Sequence, residues 1–166
     1  MRAFLTRAVI VLNALLLAGT AFAQPQGLER VGPTSPTNGF PTWYQDKTGL
    51  ALEFCQPLNQ AELDGGWCLL LPGDTTVPET FPAPFADEHF FWAGDAAINS
   101  PSGFSARLVL GLEAAFAVGP VINGDQVVFA RIRVVFDAPA TGTYIVYHPY
   151  GTEVLQATAG ERVFFT

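Results

Sequence analysis

The two histidines of this 166-residue chain, His89 and His148, are the side chains best suited to carry protons near neutral pH. His89 follows Asp87 and Glu88, an order in which a carboxylate can orient an imidazole base, and Ser100, Ser102 and Ser105 supply hydroxyls further along. A hydrolase would need base, orienting acid and nucleophile in one cleft. The spacing matches no nucleophile elbow and no triad order, so the expectation is a protein without catalytic residues. Asp64, Asp74, Asp87 and Asp95 fall in turn-forming segments and carry the oxygen ligands that calcium takes. None lies in an Asp-x-Asp-x-Asp-Gly pattern, and there is no Walker loop or Gly-x-Gly-x-x-Gly, so neither a metal nor a cofactor is expected.

Cys55 and Cys68 are the only cysteines. Their spacing is not Cys-x-x-Cys, and no further His/Cys cluster completes a zinc site. The pair therefore reads as a disulfide made in an oxidising compartment.

Aromatic residues make up 13% of the chain. Most fall in apolar runs, but Trp43, Tyr44, Trp92, Tyr147 and Tyr150 sit beside turn residues. Aromatic rings next to hydrogen-bonding groups stack on sugar rings, because the ring face offers apolar area while its polar tip stays wet. These five are the candidate ligand-binding residues, with a glycan or another envelope protein as the expected partner. Ordinary core or loop packing is the competing reading of each.

The elements that would position these groups read as strands. In residues 126–136 every second residue from Val128 to Phe136 is apolar, while Arg131 and Arg133 fall on the other face. Residues 104–116 admit a helix, yet the seven-member row Phe104, Ala106, Leu108, Leu110, Leu112, Ala114, Phe116 fits a strand better. A two-residue turn at Asn123-Gly124 would set even positions against odd ones, and Phe116 against Arg131. A bulge or longer loop among Val118, Gly119 and Pro120 is therefore predicted. Residues 50–54, 67–71, 88–93, 142–147, 152–158 and 161–166 are further expected strands. One helical turn is expected at 59–63, turn structure at 95–103, and a surface connection through the four prolines of 72–85.

At the amino terminus, Arg2 and Arg7 flank a short basic region, residues 8–17 are almost wholly apolar, and Ala21-Phe22-Ala23 suits a signal peptidase. Residues 1–23 thus read as a secretory signal, 24–38 as an extended leader with little regular structure, and 39–166 as one domain. Its last strand is expected to be buried centrally or to continue into further sequence. No membrane span is expected after cleavage. The signal removes two of the eight Lys and Arg residues, against 15 Asp and Glu. So acidic a surface argues against nucleic acid and anionic lipid as partners.

Pro139-Ala-Thr-Gly-Thr-Tyr-Ile-Val-Tyr147 resembles the late strands of bacterial immunoglobulin-like modules. Gly39-Phe-Pro-Thr-Trp-Tyr-Gln-Asp46, Gly49-Leu-Ala-Leu-Glu-Phe-Cys55, Gly124-Asp-Gln-Val-Val-Phe-Ala-Arg-Ile-Arg133 and His148-Pro-Tyr-Gly151 together resemble a group of secreted bacterial proteins of uncharacterised function. The resemblance implies export in a bacterium and an immunoglobulin-like pattern. The position after Tyr144 that would hold a cross-sheet cysteine is Val146. The expected fold is all-β, an antiparallel two-sheet sandwich. The expected role is non-catalytic, a structural or adhesive envelope module, with a carbohydrate-binding module as the alternative and a hydrolase as a third reading.

Overall fold

The computed structural model describes residues 27–101 and 103–166; the expected signal sequence lies outside them. Among these residues nine strands form three antiparallel sheets. The first joins β1 (Leu28–Val31), β2 (Trp43–Asp46) and β3 (Ala51–Glu53) in that order. In the second, β4 (Glu88–Asn99), β5 (Ser105–Phe116) and β6 (Gln126–Asp137) lie side by side. The third is the hairpin β7 (Gly142–His148) and β8 (Gly151–Ala157), after which β9 (Arg162–Phe165) returns to pair with β6 in the second sheet.

The apolar row of β5 prevails over the helix propensity of its Leu-Glu-Ala-Ala segment because it meets a matching row on β6. Phe116 pairs with Gln126 and Ala106 with Phe136, so even positions face even ones along an unbroken ladder. The offset that a two-residue turn would impose is removed by a longer loop over residues 117–125, closed where the Ala117 N–H donates to the Asp125 carbonyl (2.9 Å). Arg131 consequently stands opposite Gly111, not Phe116.

That shared apolar face is covered in two places by two separate sheets. At one end Ala114 and Phe116 pack with Phe40, Phe85 and Phe91, against which Tyr44, Leu52 and Phe54 of the first sheet and its flank also lie. At the other end Val134, Phe136 and Val163 pack against Ala157, with Tyr144, Val146 and Leu155 of the β7–β8 hairpin alongside. Each large side chain so buried contributes about 1.5–3 kcal/mol of apolar transfer. β1–β3 and β7–β8 are not hydrogen-bonded to one another, so the sheet between them is roofed twice with a gap in the middle.

Three expectations are corrected. Residues 67–71 are not a strand: Trp67–Leu69 forms a single 3-10 turn following helix α1 (Gln60–Asp64). Gly66, Cys68 and Leu69 all take positive φ there, which reverses the chain and leaves Leu70 alone buried. Residues 95–99 are not turn but the exposed second half of β4, which stays extended because β5 is long enough to pair with it as far as Asn99. The leader carries regular structure too, since Leu28–Val31 adds β1 to the edge of β2. The disulfide Cys55–Cys68 joins the chain just after β3 to the 3-10 turn, with a Cα–Cα distance of 5.4 Å. Among the described residues no helix is long and apolar enough to cross a membrane.

Candidate functional site: an aromatic cleft between two roofs

A bulge in β4 creates the floor of the site. Phe90 pairs with Glu113 and Trp92 with Leu112, so Phe91 is the extra residue. A bulge lets adjacent side chains reach one face of a sheet where strict alternation would forbid it. Phe91 enters the core, its ring 4.7 Å from Tyr44 and 5.6 Å from Phe54 between centroids. Trp92, opposite Leu112, lies in the gap between the two roofs.

The result is a cleft of about 660 Å³. Trp92, Leu112 and Ala130 form its floor, Tyr44 and Leu50 one wall, and Tyr150 the other. Tyr150 occupies the two-residue turn Pro149-Tyr150 between β7 and β8, and its ring centroid is 6.1 Å from that of Trp92. Its hydroxyl donates to the backbone carbonyl of Gly111 (3.2 Å), tying the hairpin tip to the middle sheet. Burial pushes the Tyr150 hydroxyl up to about 12, helped by the negative charge of Glu113, so it remains a donor throughout the ordinary pH range. Burial also raises Tyr44.

Of the five aromatic candidates, the fold brings together Tyr44, Trp92 and Tyr150. Trp43 faces the opposite side of the first sheet, where it lines a shallow hollow of about 340 Å³ with Arg30 and Glu53. Tyr147 is 76% exposed on the outer face of the β7–β8 hairpin. Leu112 and Ala130 contribute to the floor without having been singled out. Ala130 carried a usable signal, because an alanine amid Val128, Ile132, Val134 and Phe136 leaves a dip in an otherwise filled row.

The two histidines and, Asp46 apart, the carboxylates lie outside the lining of the cleft. His89 is fully buried, and its Nε2 is 2.9 Å from Oε2 of Glu79 rather than near Asp87 or Glu88. Burial alone would raise the Glu79 carboxyl, but hydrogen bonding and charge from His89, with hydrogen bonds from Gln56 and the Ala86 N–H, bring it down to about 2. Asn99 at the far end of β4 pairs with Ser105, roughly 30 Å along the strand from His89 at the usual rise. Ser100 and Ser105 therefore do not assemble with His89, and Ser102 lies outside the described residues. His148 accepts the Tyr150 N–H at Nδ1 (3.2 Å), and its Nε2 is 3.5 Å from Glu153.

On the uncovered face of the middle sheet, Glu113 is only 3% exposed, with Oε1 accepting from Nε of Arg131 and Oε2 unpartnered. Gly111, directly opposite Arg131, makes room: a Cβ there would lie 3.3 Å from the Glu113 carboxylate. Burial and the neighbouring Glu113 raise the Glu88 carboxyl, against the pull of Arg131 3.4 Å away. Arg131 itself is raised by its hydrogen bond to Glu113. Asp64 accepts from Gln60, Asp74 from the Leu71 N–H, and Asp95 is paired with Arg107. Among the described residues no three His, Cys, Asp or Glu side chains come together as a metal site.

No family model matches the chain, and no curated protein or solved structure matches it either.

Proposed function

We propose that the chain is an exported, non-catalytic binding module of β-sandwich type, and that its ligand sits in the cleft between Tyr44, Trp92 and Tyr150. The observation that carries this reading is the convergence of three aromatic side chains, from three different sheets or their turns, on one concave and mostly apolar site. Such concave apolar sites with a few convergent polar groups are the usual form of small-ligand sites. The disulfide is compatible with export. An immunoglobulin-like relationship draws support from Tyr144, whose hydroxyl donates to the Ala140 carbonyl (2.6 Å) four residues upstream, as a tyrosine corner does.

The test uses Trp92 as reporter. With Trp43→Phe and Trp67→Phe introduced, a ligand entering the cleft shifts the emission of the remaining tryptophan, and Ala130→Phe, which fills the floor, abolishes the shift. A broad set of glycans, lipids and peptides that leaves this emission unmoved would refute the reading. A second reading, adhesion through the outer face of the β7–β8 hairpin, is favoured by the exposed Ile145, Tyr147 and Val154, which lie on one face of paired strands.

A further inference from the structure

The cleft just described leaves few polar groups free to serve a ligand, and that shortage narrows what it can hold. Both ends of the Gln45 amide are engaged, Oε1 by Arg30 and Nε2 by the Gly49 carbonyl. Oδ1 of Asp46 accepts from the Thr48 N–H, the Thr48 hydroxyl and the Leu50 N–H. Thr48 is thereby engaged as well, and the Tyr150 hydroxyl is committed to Gly111. Among the described residues the Tyr44 hydroxyl makes no hydrogen bond within the protein, and neither does Oδ2 of Asp46 at the rim.

A sugar presents several hydroxyls, and each that enters an apolar site unpaired costs roughly 1–3 kcal/mol. Ring stacking on Trp92 does not offset several such losses. Charge selects further. Among the described residues no cationic side chain lines the cleft, and the one ionised residue that does is Asp46, which hydrogen bonds hold below the usual carboxylate range. An anionic head group would be repelled by the Asp46 carboxylate. Leu28 and Leu50, both more than half exposed at the mouth, extend the apolar surface outward. The shape, a gap between two sheets laid across a third, suits a chain better than a compact body.

We infer that the cleft takes an uncharged, single-chain apolar molecule with one polar end, of the long-chain or isoprenoid alcohol class, whose hydroxyl meets the free hydroxyl of Tyr44. The inference rests on the cleft being a ligand site. An alkyl or isoprenoid chain buries apolar surface against Leu112, Ala130 and the aromatic rings, and its single hydroxyl needs only one partner, which the Tyr44 hydroxyl provides.

The probe is N-phenyl-1-naphthylamine, neutral and fluorescent when removed from water, added to the protein expressed from the full chain. Its emission is expected to rise on binding, to be lost in Ala130→Phe, and to be displaced by 1-decanol and farnesol. Decanoate at pH 7 should displace it about tenfold less well, as one unfavourable head-group contact would dictate. Cello- and chito-oligosaccharides should not displace it. Tyr44→Phe should weaken displacement by the alcohols about fivefold, measured against the probe's own affinity for the same variant. Leu50→Glu, an exposed substitution at the mouth, is a second blocking variant if Ala130→Phe does not fold. Oligosaccharides that shift Trp92 emission while the alcohols do not would overturn this inference and leave the cleft reading standing. If no compound moves either signal, both fall. Equal displacement by alcohol and carboxylate would also overturn it.

Discussion

Tyr150 donates its hydroxyl to the carbonyl of Gly111 at 3.2 Å, a contact spanning 39 residues that fastens the tip of one roof to the sheet beneath it. The same tyrosine forms a wall of the cleft, so the width of the site depends on this bond. Tyr150→Phe keeps the ring and removes the donor. We predict a loss of about 1 kcal/mol in stability and amide exchange about fivefold faster around residues 149–152. Unchanged exchange at the hairpin tip would show that ring packing alone holds it.

The Glu79–His89 pair should give the protein a distinct acid limit. The Glu79 carboxyl is held at about 2, below its ordinary 4.5, so folding favours its ionised form. A depressed carboxyl contributes stability that is fully present above the unfolded value and is lost as pH falls through the folded one. Between about pH 4.5 and 2 the fold should lose about 3 kcal/mol from this group. Urea midpoints measured over that range should fall in the wild type and fall much less in Glu79→Gln, which starts lower. Parallel curves would place the acid sensitivity elsewhere.

The disulfide closes a loop between residues 13 apart in sequence, and its main effect is expected on the unfolded chain. For a loop of that size the stabilisation is about 3 kcal/mol. Cys55→Ala with Cys68→Ala should lower the thermal midpoint accordingly, and the urea dependence should become slightly steeper as the denatured chain expands. A midpoint that does not move would show that the 3-10 turn is held by Leu63, Leu70 and Ala86 instead.

The strands of the second half were legible because period-two alternation is a local pattern, and the need for a long 117–125 loop followed from parity alone. The all-β class came from the same source. Alternation also bears on β2: Trp43 and Tyr44 are neighbours there, so a regular strand sends their rings to opposite faces. Only one could reach the cleft. Trp92 could not be placed in the same way, because its orientation depends on the bulge at Phe91, and nothing in 88–93 marks where the ladder slips. The turn at Trp67–Leu69 was hidden because three consecutive leucines look like a strand until positive φ values at Cys68 and Leu69 reverse the chain. Glu79, ten residues from His89 in a proline-rich connection, meets it only through long-range packing.

Glu113 and Arg131 form the most exacting pair on the uncovered sheet face. Glu113 is almost wholly buried, keeps one oxygen unpartnered, and has Arg131 as its nearest cation, itself held over the Phe129 ring at 5.2 Å. Removing one member of a buried pair strands the other charge, which typically costs about 3–5 kcal/mol, whereas replacing both by apolar groups is often nearly neutral. Arg131→Met alone should therefore be strongly destabilising, by about 3 kcal/mol in urea denaturation, and Arg131→Met with Glu113→Leu should recover most of it. Arg131 also pulls the Glu88 carboxyl down against burial and Glu113. Its loss should push the Glu88 titration, followed by side-chain carboxyl NMR, to still higher pH, while Glu113→Leu in the same background should bring it back. Additive costs for the two substitutions would mean that Glu113 is held by the surrounding Phe90 and Phe129 rather than by its ion pair.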